Sequence, residues 1–326
     1  MAQALEKSNF KNPSELGGPI KFKVAFKREA ANLISYRLGE IAMRLVVFTL
    51  ISIAYASAAQ SEIVCGSVGA TKINGVDTWK SGSAAGFQTN KLNVDADGAP
   101  DSYRVDGRGL SYTCDGISAI VDGVPQTPNN NPSNWQPLCR SAWDKARQSG
   151  DYSGLRIFGF LTKNNKPVIQ GEGDAFPGKA FVTTTSMSIP GTPDGTQRHY
   201  VDANEIPYVV LPTAFTTKYG VHNGDVAVVY WPTKSKYAFA VFADGGRLGE
   251  ASVKLHQDIG NDPIVVRDGV RRAKRGIESS VLTVVFPGSA PAPSLDSKQW
   301  RADIGKIGQA ELDKWGGTDK LKACTK

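Results

Sequence analysis

The chain has 326 residues, 40% of them hydrophobic, which is enough to bury a sizeable core in one large domain or two small ones and excludes a disordered tail. Its net charge is +7, but residues 1–59 hold eight Lys and Arg against four Asp and Glu, so the remainder carries only about +3. Such a small excess over 267 residues is not the basic surface of a nucleic-acid-binding protein, and we expect no nucleic-acid partner.

An apolar segment, MRLVVFTLISIAYASAA, occupies residues 43–59. One Arg, a short apolar run and an A-x-A pattern are typical of a secretory signal peptide. The apolar run is shorter than the ~20 residues that span a bilayer, so we expect cleavage after Ala58 or Ala59, a secreted (extracellular or periplasmic) protein and no stable membrane association. Met43 is then the expected initiator and residues 1–42 a dispensable or non-native extension; a short cytoplasmic tail before an uncleaved anchor is the alternative.

Four cysteines follow the signal segment: Cys65, Cys114, Cys139 and Cys324. An even number of cysteines in an exported protein predicts two disulfides, with three connectivities open. We favour Cys114 with Cys139, which encloses a Pro- and Asn-rich loop, and Cys65 with Cys324, which ties the ends together. No CxxC spacing is present, so the cysteines do not indicate a zinc site.

Short runs of β-branched and aromatic residues alternate with Gly, Pro, Asn and Asp clusters, which predicts strands joined by turns. The predicted strands are residues 156–162, 179–187, 206–212, 225–231, 236–243 and 280–287. Helical spacing is confined to residues 141–147, 249–259 and 309–315.

We therefore predict a mainly β domain over residues 60–290, followed by a linker and short helical tail over residues 291–326. Closure removes the sheet edges that invite aggregation, so we expect a compact closed β-barrel with a few short peripheral helices. A double-psi arrangement is one form that this barrel could take.

The segment NVDADG, residues 93–98, resembles the start of a calcium-binding loop. Position twelve is Arg104, where a bidentate Glu is expected, and no flanking helices are evident. We expect instead an Asx-type turn, in which a carboxylate accepts hydrogen bonds from nearby backbone amides, and we predict no metal.

Other catalytic motifs are missing or incomplete. The segment GDAFPGKA, residues 173–180, has Ala where a phosphate-binding loop needs Ser or Thr, and a strand-like run follows it. No G-x-S-x-G or HExxH motif occurs, and His199, His222 and His256 are isolated. The sequence therefore gives no support for a serine hydrolase or a zinc hydrolase.

The segment VFADGGRLGEAS places Asp244 at the end of an apolar strand pattern and Glu250 at the start of a helical one. Asp before Gly-Gly is an ordinary turn residue, and Glu is favoured in the first turn of a helix, so both residues have a structural explanation. Glycoside hydrolysis, however, requires two carboxyl groups on either side of the scissile bond. The two residues are therefore also a candidate catalytic pair.

One further segment carries a family resemblance. FQTNKLNVDADG, residues 87–98, resembles the Asp-rich segment of the family 75 glycoside hydrolases, the fungal-type endo-chitosanases. The later pieces are similar in order: IPYVVLP at 206–212, a GD-led strand at Gly224, GEAS at 249–252 and VVFPGS at 284–289.

This resemblance implies an endo-acting enzyme that hydrolyses β-1,4-linked glucosamine polymers with inversion, with Glu250 as proton donor and Asp244 as base. This reaction needs no cofactor, since carboxylates and water suffice. A helix N-terminus at Glu250 would lower the pKa of its carboxyl, whereas burial or a nearby Asp244 would raise it. The candidate substrate-binding residues are Asp95, Asp97, Tyr208 and Trp231.

A cationic polymer calls for an acidic groove, for which the candidates are Asp95, Asp97, Asp101, Asp106, Asp244 and Glu250. If that groove is neutral or basic, an uncharged amino-sugar polymer becomes the better substrate. We expect a monomer. The alternative function is a non-catalytic barrel that binds or loosens cell-wall polysaccharide.

Overall fold

The computed structural model describes residues 65–66 and 71–325. The predicted extension over residues 1–42 and the predicted signal peptide over residues 43–59 lie outside the described residues. The strands are β1 Thr71–Ile73, β2 Val76–Ser81, β3 Ala84–Thr89, β4 Asn93–Asp95, β5 Ile117–Val121, β6 Val124–Pro125, β7 Leu155–Ile157, β8 Thr162–Lys163, β9 Lys166–Pro167, β10 Tyr208–Leu211, β11 Val226–Trp231, β12 Lys236–Gly245, β13 Glu250–Ser252, β14 Ile264–Arg267, β15 Val270–Ala273 and β16 Val281–Phe286. The helices are α1 Trp135–Ser149, α2 Thr213–Tyr219, α3 Val253–Asp258, α4 Ser297–Trp315 and α5 Gly317–Ala323.

Nine strands form one large curled sheet in the order β1-β2-β3-β16-β11-β12-β10-β13-β4. Strand β10 runs parallel to β12 and β13 runs parallel to β4, while the other neighbours are antiparallel. The prediction of a mainly β fold is confirmed, but the prediction of a closed barrel is wrong, because the sheet is an open half-barrel with β1 and β4 at its edges.

The short strands at one edge explain why the sheet does not close. Strands β4 and β13 have three residues each, and a turn ends β4 at once, so no length remains for further pairing. The chain just before β4 makes a single bridge, in which Leu92 and Ile277 exchange backbone hydrogen bonds of 2.8 Å. That bridge joins the chain before β4 to the chain before β16 and adds no strand to the sheet.

The concave side of the sheet holds the central core. Alternate residues of β3, β10, β11, β12 and β16 point inward, as expected for strands with one face buried. They pack with α2 and α3, and the largest side chains in this core include Phe87, Phe215, Leu211 and Leu255. Phe87 and Phe215 meet edge to face, with ring centroids 5.4 Å apart.

Helix α4 covers the outer face of the sheet. Its buried side chains, Trp300, Ile304 and Leu312, pack against outward-facing residues of β10, β11 and β12. The helix is 19 residues long, much longer than the predicted 309–315, because Asp296 caps it at its start by accepting from two backbone amides. No helix in the described part of the chain is both long enough and apolar enough to cross a membrane.

Both predicted disulfides are present. Cys65–Cys324 ties the start of the described domain to the end of α5, and Cys114–Cys139 joins the chain before β5 to α1. The second bridge lies in a separate aromatic cluster with Tyr103, which connects this peripheral region to the chain that follows β4.

Candidate active site

Three strand ends bring four carboxyl groups to one end of the curled sheet. Asp244 lies near the end of β12, Glu250 begins β13, Asp95 ends β4, and Asp97 lies in the turn that follows β4. Glu250 pairs with Asn93 across β13 and β4. The carboxyl groups therefore come from neighbouring parts of one sheet, although Asp97 and Asp244 are far apart in sequence.

A bulge sets the direction of Asp244. Val209 pairs with Phe242 but Val210 pairs with Asp244, so one residue of β12 is left over between them. The displaced strand end places a carboxylate oxygen of Asp244 2.7 Å from the backbone N–H of Ser186, which donates to it.

The carboxylate oxygens of Asp95, Asp97 and Asp244 lie within 4.8 Å of one another. The predicted Asx turn is confirmed, because the backbone N–H of Asp97 donates to Oδ1 of Asp95 at 2.9 Å. Gly98 completes this turn at φ +80°, where a Cβ would lie 2.0 Å from the carbonyl oxygen of Val201. A residue other than glycine would therefore push the two aspartates out of place.

Two buried tyrosines, Tyr208 and Tyr103, hold the aspartates. The hydroxyl of Tyr208 donates to the backbone carbonyl of Asp97 at 2.8 Å, and Tyr208 opposes the rise in the pKa of Asp95. Tyr103, which is also buried, opposes the rise in the pKa of Asp97. The ring of Tyr208 is fully buried, so it has no free face for a sugar, and its contribution is to orient carboxyl groups.

Glu250 lies in a strand and not in the first turn of a helix. Helix α3 begins three residues later, and its cap is Ser252, whose Oγ accepts from Leu255 N at 3.1 Å. The same Oγ accepts from Tyr208 N and donates to Ile206 O, both at 2.9 Å, which fixes β13 against β10. The helix dipole is therefore not the dominant influence on the pKa of Glu250.

Burial instead dominates the electrostatics of Glu250. Burial raises the pKa of its carboxyl, and the charge of Asp95 raises it further. The backbone N–H of Arg247, which donates to Oε2 at 3.2 Å, acts in the opposite direction but does not reverse the shift. A carboxyl with a raised pKa can hold a proton at mildly acidic pH, which is the state a general acid needs.

The three aspartates are half-buried and crowd one another. Burial raises the pKa of Asp244 well above its ordinary range, and the charge of Asp95 adds to this. Burial and the charges of Asp95 and Asp244 raise the pKa of Asp97 in the same way. The pKa of Asp95 is also raised by burial, but the hydrogen bond from the backbone N–H of Asp97 opposes that rise.

Some predicted site residues lie elsewhere. Trp231 ends β11 opposite Lys236 at the far end of β12, and eight residues of strand separate that level from Asp244, which is about 26 Å. Its indole N–H donates to Ser279 Oγ at 2.8 Å. The structure therefore does not bring Trp231 to the carboxyl cluster.

The acidic groove is also smaller than the sequence suggested. Asp106 pairs with Arg104 at 3.2 Å, and Asp101 lies 3.7 Å from Arg271, so arginines offset both charges. The acidic patch consists of Asp95, Asp97, Asp244 and Glu250. Carboxylate oxygens suit hard cations, but the twelfth position of the calcium-like loop holds Arg104, and we assign no metal to the cluster.

A cluster of half-buried carboxyl groups with raised pKa values is an arrangement that acid-base hydrolysis of a glycosidic bond can use. Residues 164–321 match the family described as fungal chitosanase of glycosyl hydrolase group 75. The match covers just under half of the chain and supports a glycosidase of the chitosanase-like kind. The comparison with curated protein sequences gives no match.

The matched stretch confirms the family resemblance and extends it through α4 and most of α5, beyond the last similar piece at residues 284–289. It includes Asp244 and Glu250. It does not reach residues 87–98, so the resemblance of the segment that carries Asp95 and Asp97 stays a prediction. Sequence reasoning missed Tyr103 and Ser186, since neither belongs to a motif and both reach the cluster only through folding.

Proposed function

We propose that this enzyme hydrolyses β-1,4-linked glucosamine polymers internally and with inversion of the anomeric centre, with Glu250 as general acid and Asp244 as general base. The observation that carries this proposal is the convergence of four half-buried carboxyl groups, two of them six residues apart in the family-matched stretch. The raised pKa of Glu250 supports its role as the acid.

In the proposed step, the protonated carboxyl of Glu250 gives its proton to the glycosidic oxygen as the bond to the anomeric carbon breaks. A water molecule attacks that carbon from the opposite face, and the carboxylate of Asp244 takes the proton that the water loses. One bond is broken and one is formed, with no covalent intermediate and no external reductant or oxidant. Glu250 ends ionised and Asp244 protonated, so proton exchange with solvent restores the starting state.

The acidic patch supports a cationic substrate. An ammonium group of a bound glucosamine unit would lie beside Asp95, Asp97 or Asp244 and would favour their ionised forms. This matters for Asp244, because burial holds the pKa of that carboxyl well above its ordinary range, whereas a base must be ionised. Asp95 and Asp97 are thus proposed to face the substrate's charge, and an uncharged polymer would lack this effect.

The first test measures reducing-end release from soluble chitosan by the protein beginning near Gln60. We expect Glu250→Gln and Asp244→Asn each to lose at least about 100-fold in kcat while they still bind the polymer. Asp268→Asn is a matched control, because Asp268 is exposed in the β14–β15 turn at φ +51°, which Asn tolerates. A parent protein inactive on chitosan, chitin and peptidoglycan would indicate the non-catalytic binding function.

The stereochemical part of the proposal has its own measurement. Proton NMR of the first product formed from a β-linked oligomer distinguishes the two outcomes. Initial appearance of the α-anomer supports inversion, whereas initial β-anomer would show retention and exclude Asp244 as a base acting only through water.

We also propose that the protein is exported and acts as a monomer. Two disulfides suit an oxidising compartment, and a signal peptide is predicted at residues 43–59. N-terminal sequencing of the exported protein should give a start near Gln60, and a start before Met43 would contradict the signal peptide. Light scattering should give the mass of a single chain.

A further inference from the structure

Buried side chains hold the segment that follows the turn of Asp95 and Asp97. Each of three consecutive backbone carbonyls there accepts a hydrogen bond from a different side chain. The three bonds run from Gln197 Nε2 to Gly98 O at 2.8 Å, from Thr183 Oγ1 to Ala99 O at 2.9 Å, and from Gln170 Nε2 to Pro100 O at 2.7 Å. The three donor residues are only 0–4% exposed, so water does not compete for these bonds.

These bonds do the work that a strand ladder does elsewhere in a sheet. A buried carbonyl needs a donor, and a neighbouring strand normally supplies a backbone N–H. Strand β4 ends at Asp95, and residues 98–100 lie in no strand. The chain that supplies the donors, residues 170–197, also has no regular strand and contacts other segments through single bridges. Side-chain hydrogen bonds therefore fix residues 98–100 against residues 170–197.

Gln197 is the centre of this network. Its Nε2 also donates to Thr183 O at 3.1 Å, and its Oε1 accepts from the backbone N–H of Thr183 at 2.8 Å. Its own backbone N–H donates to Oδ1 of Asp174 at 2.9 Å. Both N–H groups and the oxygen of the side-chain amide are used, so the amide has one orientation that directs a donor at Gly98.

The position of Gly98 determines where the two aspartates lie. Asp97 directly precedes Gly98, and its backbone N–H closes the turn on Oδ1 of Asp95 at 2.9 Å. A Cβ on Gly98 would lie 2.0 Å from Val201 O and 2.8 Å from Cγ2 of Thr185, so this part of the turn is closely packed. A shift of Gly98 would therefore move both carboxyl groups.

We propose that Gln197 is a positioning residue for the turn that carries Asp95 and Asp97. Thr183 and Gln170 act with it, and together they keep the two carboxyl groups within the carboxyl cluster. This inference rests on the proposed role of the two aspartates in facing the charge of a cationic substrate. The three donors lie inside the family-matched residues 164–321, whereas the turn lies outside them.

A loosened turn should affect substrate binding more than the acid-base step. Asp244 and Glu250 lie on β12 and β13, and the side chains of the three donors make no hydrogen bond to either strand in the described part of the chain. The network therefore supports the carboxyl groups proposed to attract the ammonium group, and not the two proposed to transfer protons.

The test uses two variants and a matched control, each checked for folding by near-UV circular dichroism. Gln197→Met and Thr183→Val each remove one donor to residues 98–100 and keep a side chain of similar size. Thr78→Val is the control, because Oγ1 of Thr78 also donates to a carbonyl, that of Thr71, at 3.0 Å. Thr78 is equally buried but lies in β2, near the opposite edge of the sheet from β4.

Hydrogen exchange at the backbone amide of Asp97, followed by NMR, reports the turn directly because this N–H closes it. We expect exchange to be at least about fivefold faster than in the parent in Gln197→Met and Thr183→Val, and unchanged in Thr78→Val. In the same two variants, the KM for soluble chitosan should rise about tenfold while kcat stays within about threefold. A merely structural role would lower the amount of active enzyme and leave KM unchanged.

Three results would overturn the proposal. Unchanged exchange at Asp97 in both folded variants would mean that the turn holds itself. Equally fast exchange in Thr78→Val would mean a general loosening of the fold. Faster exchange with an unmoved KM would mean that the turn is not positioned for the substrate.

The exchange measurement also separates this proposal from the proposed function. An inactive parent whose Asp97 amide exchanges faster only in Gln197→Met and Thr183→Val would mean that the hydrolysis proposal fails while the positioning of the turn stands. If Gln197→Met does not fold, Thr183→Val carries the same comparison, because it replaces only a hydroxyl by a methyl group.

Discussion

Gly246 offers a sensitive test of how the position of Glu250 supports catalysis. It lies between the two proposed catalytic carboxyls, and its backbone does not need a positive φ. A Cβ added there would lie 2.7 Å from Cγ1 of Val210 and 3.0 Å from Oε2 of Glu250. Ordinary contacts begin at 3.4 Å, so Gly246→Ala must move the buried valine, the glutamate or the turn by roughly half an ångström.

The size of the effect follows from that displacement. Misplacing a catalytic group by about 1 Å costs on the order of 100-fold in rate, so we expect kcat to fall by about 10- to 100-fold in Gly246→Ala. Crowding against Val210 should lower the free energy of unfolding by about 1–3 kcal/mol. The assay is reducing-end release from chitosan, together with urea denaturation of each variant.

Gly245→Ala is the matched control. A Cβ at Gly245 would meet only Cβ of Ser186, at 3.9 Å, which is ordinary contact. This variant should keep parental kcat and gain about 0.4–1 kcal/mol, because alanine restricts the unfolded chain. Equal kcat values for the two alanine variants would refute the conclusion that catalysis depends on the space at Gly246 for the Glu250 carboxylate.

Four further outcomes are expected. Replacing both Cys114 and Cys139 by Ala should lower the unfolding free energy by about 3 kcal/mol, measured by denaturation with and without reductant, because the bridge closes a loop of 25 residues. Burial lowers the pKa of His256 from 6.5 to about 4, so the folded state favours the neutral imidazole. We expect the free energy of unfolding to fall by about 3 kcal/mol as the pH drops from 6.5 to about 4, and His256→Gln should make this fall smaller. Burial raises the pKa of Asp97, so the folded state binds its proton more tightly and stability falls as pH rises; Asp97→Asn should therefore melt higher than the parent at pH 8, with the gap closing near pH 4. Trp231→Phe should leave the KM for chitosan within about twofold, since a tryptophan about 26 Å along the strand cannot stack on a sugar beside Asp244.

The local structure around Glu250 differs from the structure that the sequence pattern predicts. Apolar spacing over residues 249–259 predicted one helix, yet residues 250–252 pair with β10 and β4 before the helix starts. Backbone pairing with distant strands outweighed a local helical preference, because each residue gained partners that a short isolated helix end would lack. That change moved Glu250 from a helix terminus to a crowded strand, where burial raises its pKa.

Local order along the chain predicted the strands β10, β11, β12 and β16, the presence of two disulfides and the candidate carboxyl pair, because alternation, turn residues and an even number of cysteines can be read from the sequence itself. Tertiary structure alone decided that the sheet stays open, that Asp95, Asp97 and Asp244 converge, and that Trp231 lies far from them. These outcomes depend on strand order, on the bulge in β12 and on the length of β4. Each outcome depends on how segments far apart in the sequence, or the ends of different strands, are placed in space. Short-range sequence patterns do not contain that information.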